Sequence, residues 1–420
     1  MSEFLDRLAL EAGDTADGLN LDDGLSLHEG RLVALEFNPA LRLARMRIGL
    51  AVAGVENAGL WQDPSFSFNA ARRTDSTPDP WLITPGLAFS IPLSGRRAAE
   101  RDRASAGQRA AEGAVLEAEW ALWHEVEQAW IIWSGAQLRV AETERLIEAL
   151  QGLVRSAPQL AQSGEMTTSE AALFSLEQAR HRNQLGRLRG EMAAAELALR
   201  ALMGLAPEAP IDLSPSFLPD ASIPEPAAAN QGPGLIERFN PRLERRRREY
   251  DASEEKLRHE VAKQYPILSI GPYSEFDEGK SRVGLLGGLP LPFLNANRRA
   301  IAEARVEREI ARAVVETEYE TLVGTWSIVR IRLDALRAQR ADMEQVLVPL
   351  VDRQLEDTGA LLRLGEGTGL GLLESLSRAH QLKLDLIETR VSEALARSEF
   401  AHLLGPTTGA WPFGEEELNS

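Results

Sequence analysis

The sequence predicts a mainly α protein with a small β part. It reads as two copies of one unit, each joining a pair of short strands to a long antiparallel helical hairpin. Three observations carry this: an internal repeat, two pairs of alternating segments, and helical runs too long for a compact core. The repeat is the strongest. Asn38-Pro39 recurs as Asn240-Pro241, Pro64 as Pro266, and Arg96-Arg97 as Arg298-Arg299, each 202 residues on. Gly164-Glu165 recurs as Gly365-Glu366, and "LMGLAP" around Gly204 as "HLLGP" around Gly405, each 201 residues on. Chance matches would scatter over many offsets, and a fixed register across the chain marks a duplicated unit. The chain then divides into an N-terminal tail (1–24), a first copy (25–205), a proline-rich linker (206–234), a second copy (235–406) and a C-terminal tail (407–420).

Each copy opens with a helix after Asn-Pro, "LRLARMRIGLAVAGVENAGLW" in the first and "RLERRRREYDASEEKLRHEVAKQY" in the second. Proline suits a first helical position because its missing N–H would be unpaired there anyway. Two strands follow, at about 64–72 and 81–93, then at about 266–276 and 282–291. In "PSFSFNAA", Phe66, Phe68 and Ala70 alternate with Ser65, Ser67 and Asn69. In "WLITPGLAFSIPL", Trp81, Ile83, Leu87, Phe89, Ile91 and Leu93 share one face, and Thr84, Gly86, Ala88 and Ser90 the other. This is the period of a strand with unlike faces. The hairpins occupy 94–205 and 295–405. The proline-free run from Leu93 to Ala157 would extend roughly 100 Å as one helix. That argues for an elongated bundle or coiled coil. In the second copy Pro349 is placed to kink the run. The linker "APEAPIDLSPSFLPDASIPEPAAANQGPG" reads as an extended crossover.

Composition narrows the function. A net charge of −17 over 420 residues argues against a nucleic-acid partner, since phosphate contacts need a basic surface. The chain contains no cysteine, which removes disulfides, thiolate metal sites and cysteine nucleophiles. Six histidines are scattered, with no ligand-spaced pair on one helix, and neither "SGRR" nor "GEGTGLG" has the context of a phosphate loop. No enzyme site, metal site or cofactor is expected. Trp120, Trp123, Trp130 and Trp133 mark one face of the long helix, as a packing stripe would. No apolar run of about 18 residues predicts a membrane-crossing helix. The start, "MSEFLDRLAL", is not a secretory signal, so either a signal has been removed or the start is not the natural one.

The strands fit a membrane better than water. Each is near the length of an outer-membrane barrel strand, with one apolar and one small or polar face. Four strands cannot close a barrel, and open edges are not tolerated in lipid. Three chains would supply twelve, enough for a water-filled pore.

From about Leu25 to Pro406 the organisation resembles the TolC-like outer-membrane efflux proteins. The resemblance rests on "FNPALRLARMRIGLAVAGVENAGLWQDPSF", "IPLSGRRAAERDRA", "LPLPFLNANRRAIAEARVERE", and the turn segments "SGEMTTSEAALFSLEQAR" and "LGEGTGLGLLESLSRAH". "LPLPF…NRRAIAEA" is most similar to CzcC-type members, which serve heavy-metal efflux. The resemblance implies a homotrimer in the outer membrane of a Gram-negative bacterium, with a twelve-stranded barrel in outer-membrane lipid and a helical tunnel in the periplasm. Its implied partners are a periplasmic adaptor and an RND-type inner-membrane pump, and its cargo is heavy-metal cations or small toxic compounds. A periplasmic adaptor and a soluble coiled-coil scaffold are the alternatives. An adaptor would need one hairpin and further strand-rich domains, and a scaffold has no use for amphipathic strand pairs.

The resemblance also implies sites. Gly164, Glu165, Gly365 and Glu366 fall at the periplasmic tips, where an adaptor docks and the tunnel narrows. Acids six and nine residues past each tip glycine are half present, as Glu170 and Glu374. Arg96, Arg97, Arg298 and Arg299 fall where strand turns to helix at the membrane interface, where arginine can keep its charge wet while its stem covers apolar surface.

Overall fold

The structure, a computed structural model, describes residues 24–72, 74, 81–162, 166–216, 231–277, 280–292 and 294–406. The tails through Asp23 and from Thr407, and tip residues Gly164 and Glu165, lie outside the described residues, as do most of the first strand-pair loop and the middle of the linker. The elements are α1 (Leu27–Phe37), α2 (Pro39–Glu56), β1 (Ser65–Arg72), β2 (Trp81–Pro92), α3 (Arg96–Gln162) and α4 (Thr168–Leu202), followed by α5 (Gly232–Phe239), α6 (Pro241–Ala262), β3 (Ile267–Asp277), β4 (Lys280–Gly288), α7 (Arg298–Asp342), a π-helical turn (Met343–Leu347), α8 (Val348–Arg363) and α9 (Gly369–Leu404). The chain forms two compact units. One comprises residues up to Arg42, Ala118–Asn240 and Thr321 onward; the other comprises Leu43–Glu117 and Pro241–Glu320. Each unit therefore draws on both sequence copies.

The first unit is helical and explains two of the repeated motifs. Asn38 ends α1 and caps α2: its Oδ1 accepts from the Ala40 and Leu41 amides at 2.9 and 3.0 Å. Its Nδ2 donates to the Leu202 carbonyl at 2.9 Å. In the second copy Asn240 Nδ2 donates to the Leu403 carbonyl at 2.8 Å. Just beyond those carbonyls sit Gly204 and Gly405, with φ of +69° and +86°. A Cβ on either would lie 2.3 Å from a backbone oxygen, that of Phe37 or Phe239. The Asn-Pro pairs and the glycines of "LMGLAP" and "HLLGP" are thus two halves of one clasp, which fastens the start of each copy to its own end.

The tryptophan stripe is buried, with Trp130 and Trp133 essentially inaccessible. The indole N–H of Trp130 reaches the Ser214 carbonyl at 3.0 Å, and that of Trp120 the His402 carbonyl at 2.9 Å. The linker is not a free crossover over its first residues. Leu25 forms a parallel bridge with Leu213, and the Arg200 guanidinium donates to the Ala209 and Ile211 carbonyls at 2.8 and 2.9 Å. Its far end is also shorter than the composition suggests, because α5 begins at Gly232.

Buried polar contacts join the two copies within this unit. Arg31 pairs with Glu127 at 2.7 Å, both buried. Ser398 donates to the same carboxylate at 2.6 Å and lies 3.0 Å from His124 Nδ1. His124 stacks on His402 with ring centres 4.3 Å apart, and His181 meets His380 edge to face at 5.4 Å. Four of the histidines that look scattered in sequence are therefore paired in space, each pair taking one from each copy.

Two prolines behave differently from the simplest reading. α3 continues through Pro158 to Gln162 rather than stopping before it. Before Pro349 the chain widens into the π-helical turn Met343–Leu347 and resumes as helix. A wider turn accommodates a ring that would clash with the preceding carbonyl, so the strain is absorbed without ending the helix.

The second unit holds one antiparallel sheet in the order β1-β2-β3-β4. Its ladders run without a bulge: Phe66 opposes Leu87, Phe89 opposes Ile270, and Pro272 opposes Leu285. Opposed residues share a face. One face therefore collects Phe66, Phe68, Trp81, Phe89, Phe276, Val283 and Leu285, all exposed in the chain. The other collects Ser65, Ser67, Asn69, Thr84, Ser90 and Tyr273, with Glu275 paired to Arg282 at 3.2 Å. The fourth strand spans Lys280–Gly288, earlier than the 282–291 read from sequence, and stops short of Pro290. Strand glycines are compatible with the sheet because a neighbour fills their space: the Tyr273 ring lies where a side chain on Gly284 would be.

Candidate functional sites: helix tips and strand-to-helix junctions

The first tip is built around a capping box that the sequence reading passed over, although "TTSE" signals it. The Thr167 amide and Oγ1 donate to Glu170 Oε2 at 2.8 and 2.9 Å, and the Glu170 amide returns a bond to Thr167 Oγ1 at 3.2 Å. These bonds, that from the Thr167 backbone first, hold the Glu170 carboxyl below the usual carboxylate range. Glu170 therefore starts α4. At the second tip Thr368 caps α9, but Gly371 stands three residues on, so no box forms.

Gly365 closes α8 with φ +73°. Its amide reaches the Leu362 carbonyl at 3.1 Å, and those of Glu366 and Gly367 reach the Leu361 carbonyl at 3.0 Å. No atom lies within 4 Å of a Cβ placed on Gly365. The glycine is required by its backbone angle and not by crowding. Glu374 pairs with Arg378, one turn on, at 2.6 Å. Each acid of the half-present pattern thus has a local partner.

Behind the tips Met166 and Phe174 of the first copy pack with Leu373 of the second and with Leu146, Leu150 and Ala157 of α3. Around this core Leu173, Leu176, Leu361, Leu364 and Leu370 are exposed. In sequence these leucines look like core, because a helical leucine reads as core until its surroundings are known.

The two junctions differ despite their matching Arg-Arg pairs. In the first, Arg97 Nε donates to the Gly59 carbonyl at 2.7 Å, and its guanidinium lies 4.2 Å from the centre of the Trp61 ring. Arg96 opens α3 and lines a cleft with it. In the second, Ala296 and Asn297 both take left-handed backbone angles, φ +46° and +53°. Asn297 Nδ2 donates to the Glu260 carbonyl and to its carboxylate, each at 2.8 Å, and Lys263 holds that carboxylate at 2.6 Å. Arg299 is exposed and pairs with Glu303 at 2.8 Å. Arg298 is exposed. Asn297, one residue before the repeated pair, thus secures the second junction, and the repeat could not show it.

Long helical hairpins carrying a four-stranded sheet with one apolar exposed face place the chain among outer-membrane channel folds. Residues 33–205 match the family described as outer membrane efflux protein. A membrane protein from Pseudomonas aeruginosa superposes with a TM-score of 0.78 at 20% identity, covering 96% of each chain. CusC superposes at 0.77 and 15% identity, covering 91% of this chain and 92% of its own. The outer membrane protein VceC from Vibrio cholerae superposes at 0.74 and 17% identity, covering 90% of this chain and 96% of its own. At these identities the likeness is one of fold. Comparison with curated protein sequences finds no match.

Proposed function

We propose that the chain is one subunit of a homotrimeric outer-membrane efflux conduit, passive and without catalysis. The observation that carries this reading is the sheet. One face exposes a continuous band of aromatic and aliphatic side chains in the isolated chain, and among the described residues both edge strands are unpaired. A soluble protein would bury such a band and protect such edges. In lipid the band is favourable, but unpaired edges are not, so closure with other copies follows. Three chains give a twelve-stranded barrel with the polar face toward a water-filled lumen. Apolar residues exposed on the helices, Leu43, Met46 and Leu50 on α2 and Val306, Ile310 and Val314 on α7, supply further surface for neighbouring copies. The adaptor and scaffold alternatives leave the sheet's apolar face without a role.

In this reading the helices lie in the periplasm of a Gram-negative bacterium. The tips, with Gly164, Glu165, Glu170, Gly365, Glu366 and Glu374, meet a periplasmic adaptor coupled to an RND-type pump, and the exposed tip leucines are the apolar part of that contact. The CzcC-like stretch favours heavy-metal cations as cargo over organic compounds. Arg96, Arg97, Arg298 and Arg299 mark the interface on the helical side of the membrane.

Fractionation and native mass measurement in mild detergent test the assembly, with a membrane-bound trimer expected and a stable water-soluble monomer excluding it. Phe68→Arg, on the apolar face, should cost about 2–4 kcal/mol where it lies near the midplane. Asn69→Arg, on the polar face, should cost far less. Equal losses of assembled trimer would reject the assigned faces. Comparing metal-salt and organic-compound sensitivity of cells with and without the chain distinguishes the cargoes.

A further inference from the structure

At the first junction the chain encloses a cleft of about 210 Å³. Trp61, Pro92 and Ile267 form its apolar wall, and Arg96, Arg97 and Glu100 its charged rim. Pro92 opposes Ile267 at the very end of the β2–β3 ladder, so the cleft sits where the apolar sheet face gives way to helix. Arg242, Arg245, Arg246 and Arg248 in the same unit are all held by carboxylates. Arg96, like Arg101, Arg298 and Arg305, makes no side-chain hydrogen bond or ion pair among the described residues. Arg97 donates its Nε to the Gly59 carbonyl, and its guanidinium lies over the Trp61 ring. Arg96 and Arg97 both line the cleft, and neither is bound by a carboxylate among the described residues.

We propose that this cleft holds the headgroup of a glycerophospholipid that carries an ammonium, with the phosphodiester on Arg96 and Arg97 and the ammonium on Glu100. The inference rests on the membrane reading above. Planar guanidinium groups match phosphate oxygens in pairs, and a phosphodiester carries a single negative charge that two arginines over-compensate. Glu100 would repel a purely anionic headgroup but accepts hydrogen bonds from a primary ammonium. The cleft is smaller than the roughly 300 Å³ of the smallest ordinary ligand pockets. It therefore admits a headgroup and leaves the acyl chains outside, along the apolar sheet face. Trp61, half-exposed at this boundary, has the amphipathic ring that favours a membrane interface. At the second junction Lys263, Asn297 and Arg299 are committed to Glu260 and Glu303, and Arg298 alone of its Arg-Arg pair is left without a partner among the described residues. The inference therefore assigns one such lipid per chain.

The test is native mass spectrometry of the delipidated full chain in detergent, titrated separately with phosphatidylethanolamine, phosphatidylglycerol and inorganic phosphate. One phosphatidylethanolamine per chain should bind in preference to phosphatidylglycerol, and inorganic phosphate should not displace it. Arg96→Gln should weaken retention about tenfold, the loss of one charge-assisted contact. Arg298→Gln should leave it unchanged, and Glu100→Gln should shift preference toward phosphatidylglycerol. Equal retention by the wild type and Arg96→Gln, an equal loss in Arg298→Gln, or displacement by inorganic phosphate overturns the site. A trimer that forms but retains no lipid sinks this inference alone. A chain that never forms a detergent trimer sinks the membrane reading with it.

Discussion

The two sequence copies solve one problem identically and two others differently. Both fasten their first helix to their last turn with an Asn-Pro amide and a left-handed glycine against a backbone carbonyl. Their junctions share an Arg-Arg pair, yet the first relies on Arg97 against Gly59 and Trp61 and the second on Asn297 against Glu260. Their tips share a glycine and an acid, yet one acid closes a capping box and the other pairs with an arginine on its own helix. The clasp sets an asparagine amide and a left-handed glycine against backbone carbonyls, which leaves no room for a different residue. The junctions depend on side chains from elsewhere and the tips on local ones, and both differ between copies.

The largest expected effect lies where the copies differ in their core. Arg31 pairs with Glu127 in the first copy, while the residue 202 positions after Arg31 is Pro233. Glu127→Ala removes the carboxylate paired with a buried guanidinium and should cost about 3–5 kcal/mol, seen as a lower melting temperature in detergent. A change no larger than that of an exposed Glu→Ala control would show the pair to be dispensable.

The clasp comes next. Gly204→Ala and Gly405→Ala each combine a left-handed backbone with a contact that cannot relax into open space, for about 2–5 kcal/mol. The two losses should agree to within about 1 kcal/mol if the clasps are equivalent, a tolerance near the spread of additive sites. Widely different melts would break the equivalence.

Acid should loosen the contacts between copies. Burial first, then the charges of His402 and Arg31, lowers His124 to about 3. Burial first, then those of His181 and Lys383, lowers His380 to about 4. His181 is also lowered, by burial above all, against the opposing pull of Glu177. Folded values below the ordinary 6.5 mean that the unfolded chain takes up protons first. Stability is then full above pH 6.5 and falls as pH drops toward these values, by up to about 1.4 kcal/mol per pH unit for each histidine. His380→Phe should flatten the fall in melting temperature between pH 6.5 and 4. An equally steep fall in the variant would remove His380 from the account.

The tip gives the smallest effects. Gly365→Ala meets open space and should cost only its backbone strain, about 1–2 kcal/mol, less than either clasp glycine. Glu374→Gln removes an exposed one-turn pair and should change stability by less than about 1 kcal/mol. Conductance of reconstituted channels then isolates any role of Glu374 in ion selection. An unchanged reversal potential would leave it as an ordinary surface charge.

Much of the architecture was legible in the chain. The period-two alternation of Phe66 and Phe68 against Ser65 and Ser67 reappears as the two faces of the sheet, because a strand's side chains alternate whatever surrounds it. The fixed repeat offset placed both Asn-Pro starts and both glycine ends, because the clasp acts over a constant span. Less was legible at the sites. "TTSE" held the capping box in plain view, whereas the exposed tip leucines and the partner of Asn297 had no local signature.

Local geometry could be read from residue order because periodicity, proline and glycine act through the backbone of their own neighbourhood. Which strands pair, that β2 joins β3 across the copies so that four apolar faces become one, depends on residues some 180 positions apart (Phe89 and Ile270). The same holds for His124 against His402 and for Arg31 against Glu127. Such contacts exist only once the chain has closed. Their energies come from burial and from groups that share no window of sequence, so no local pattern could announce them.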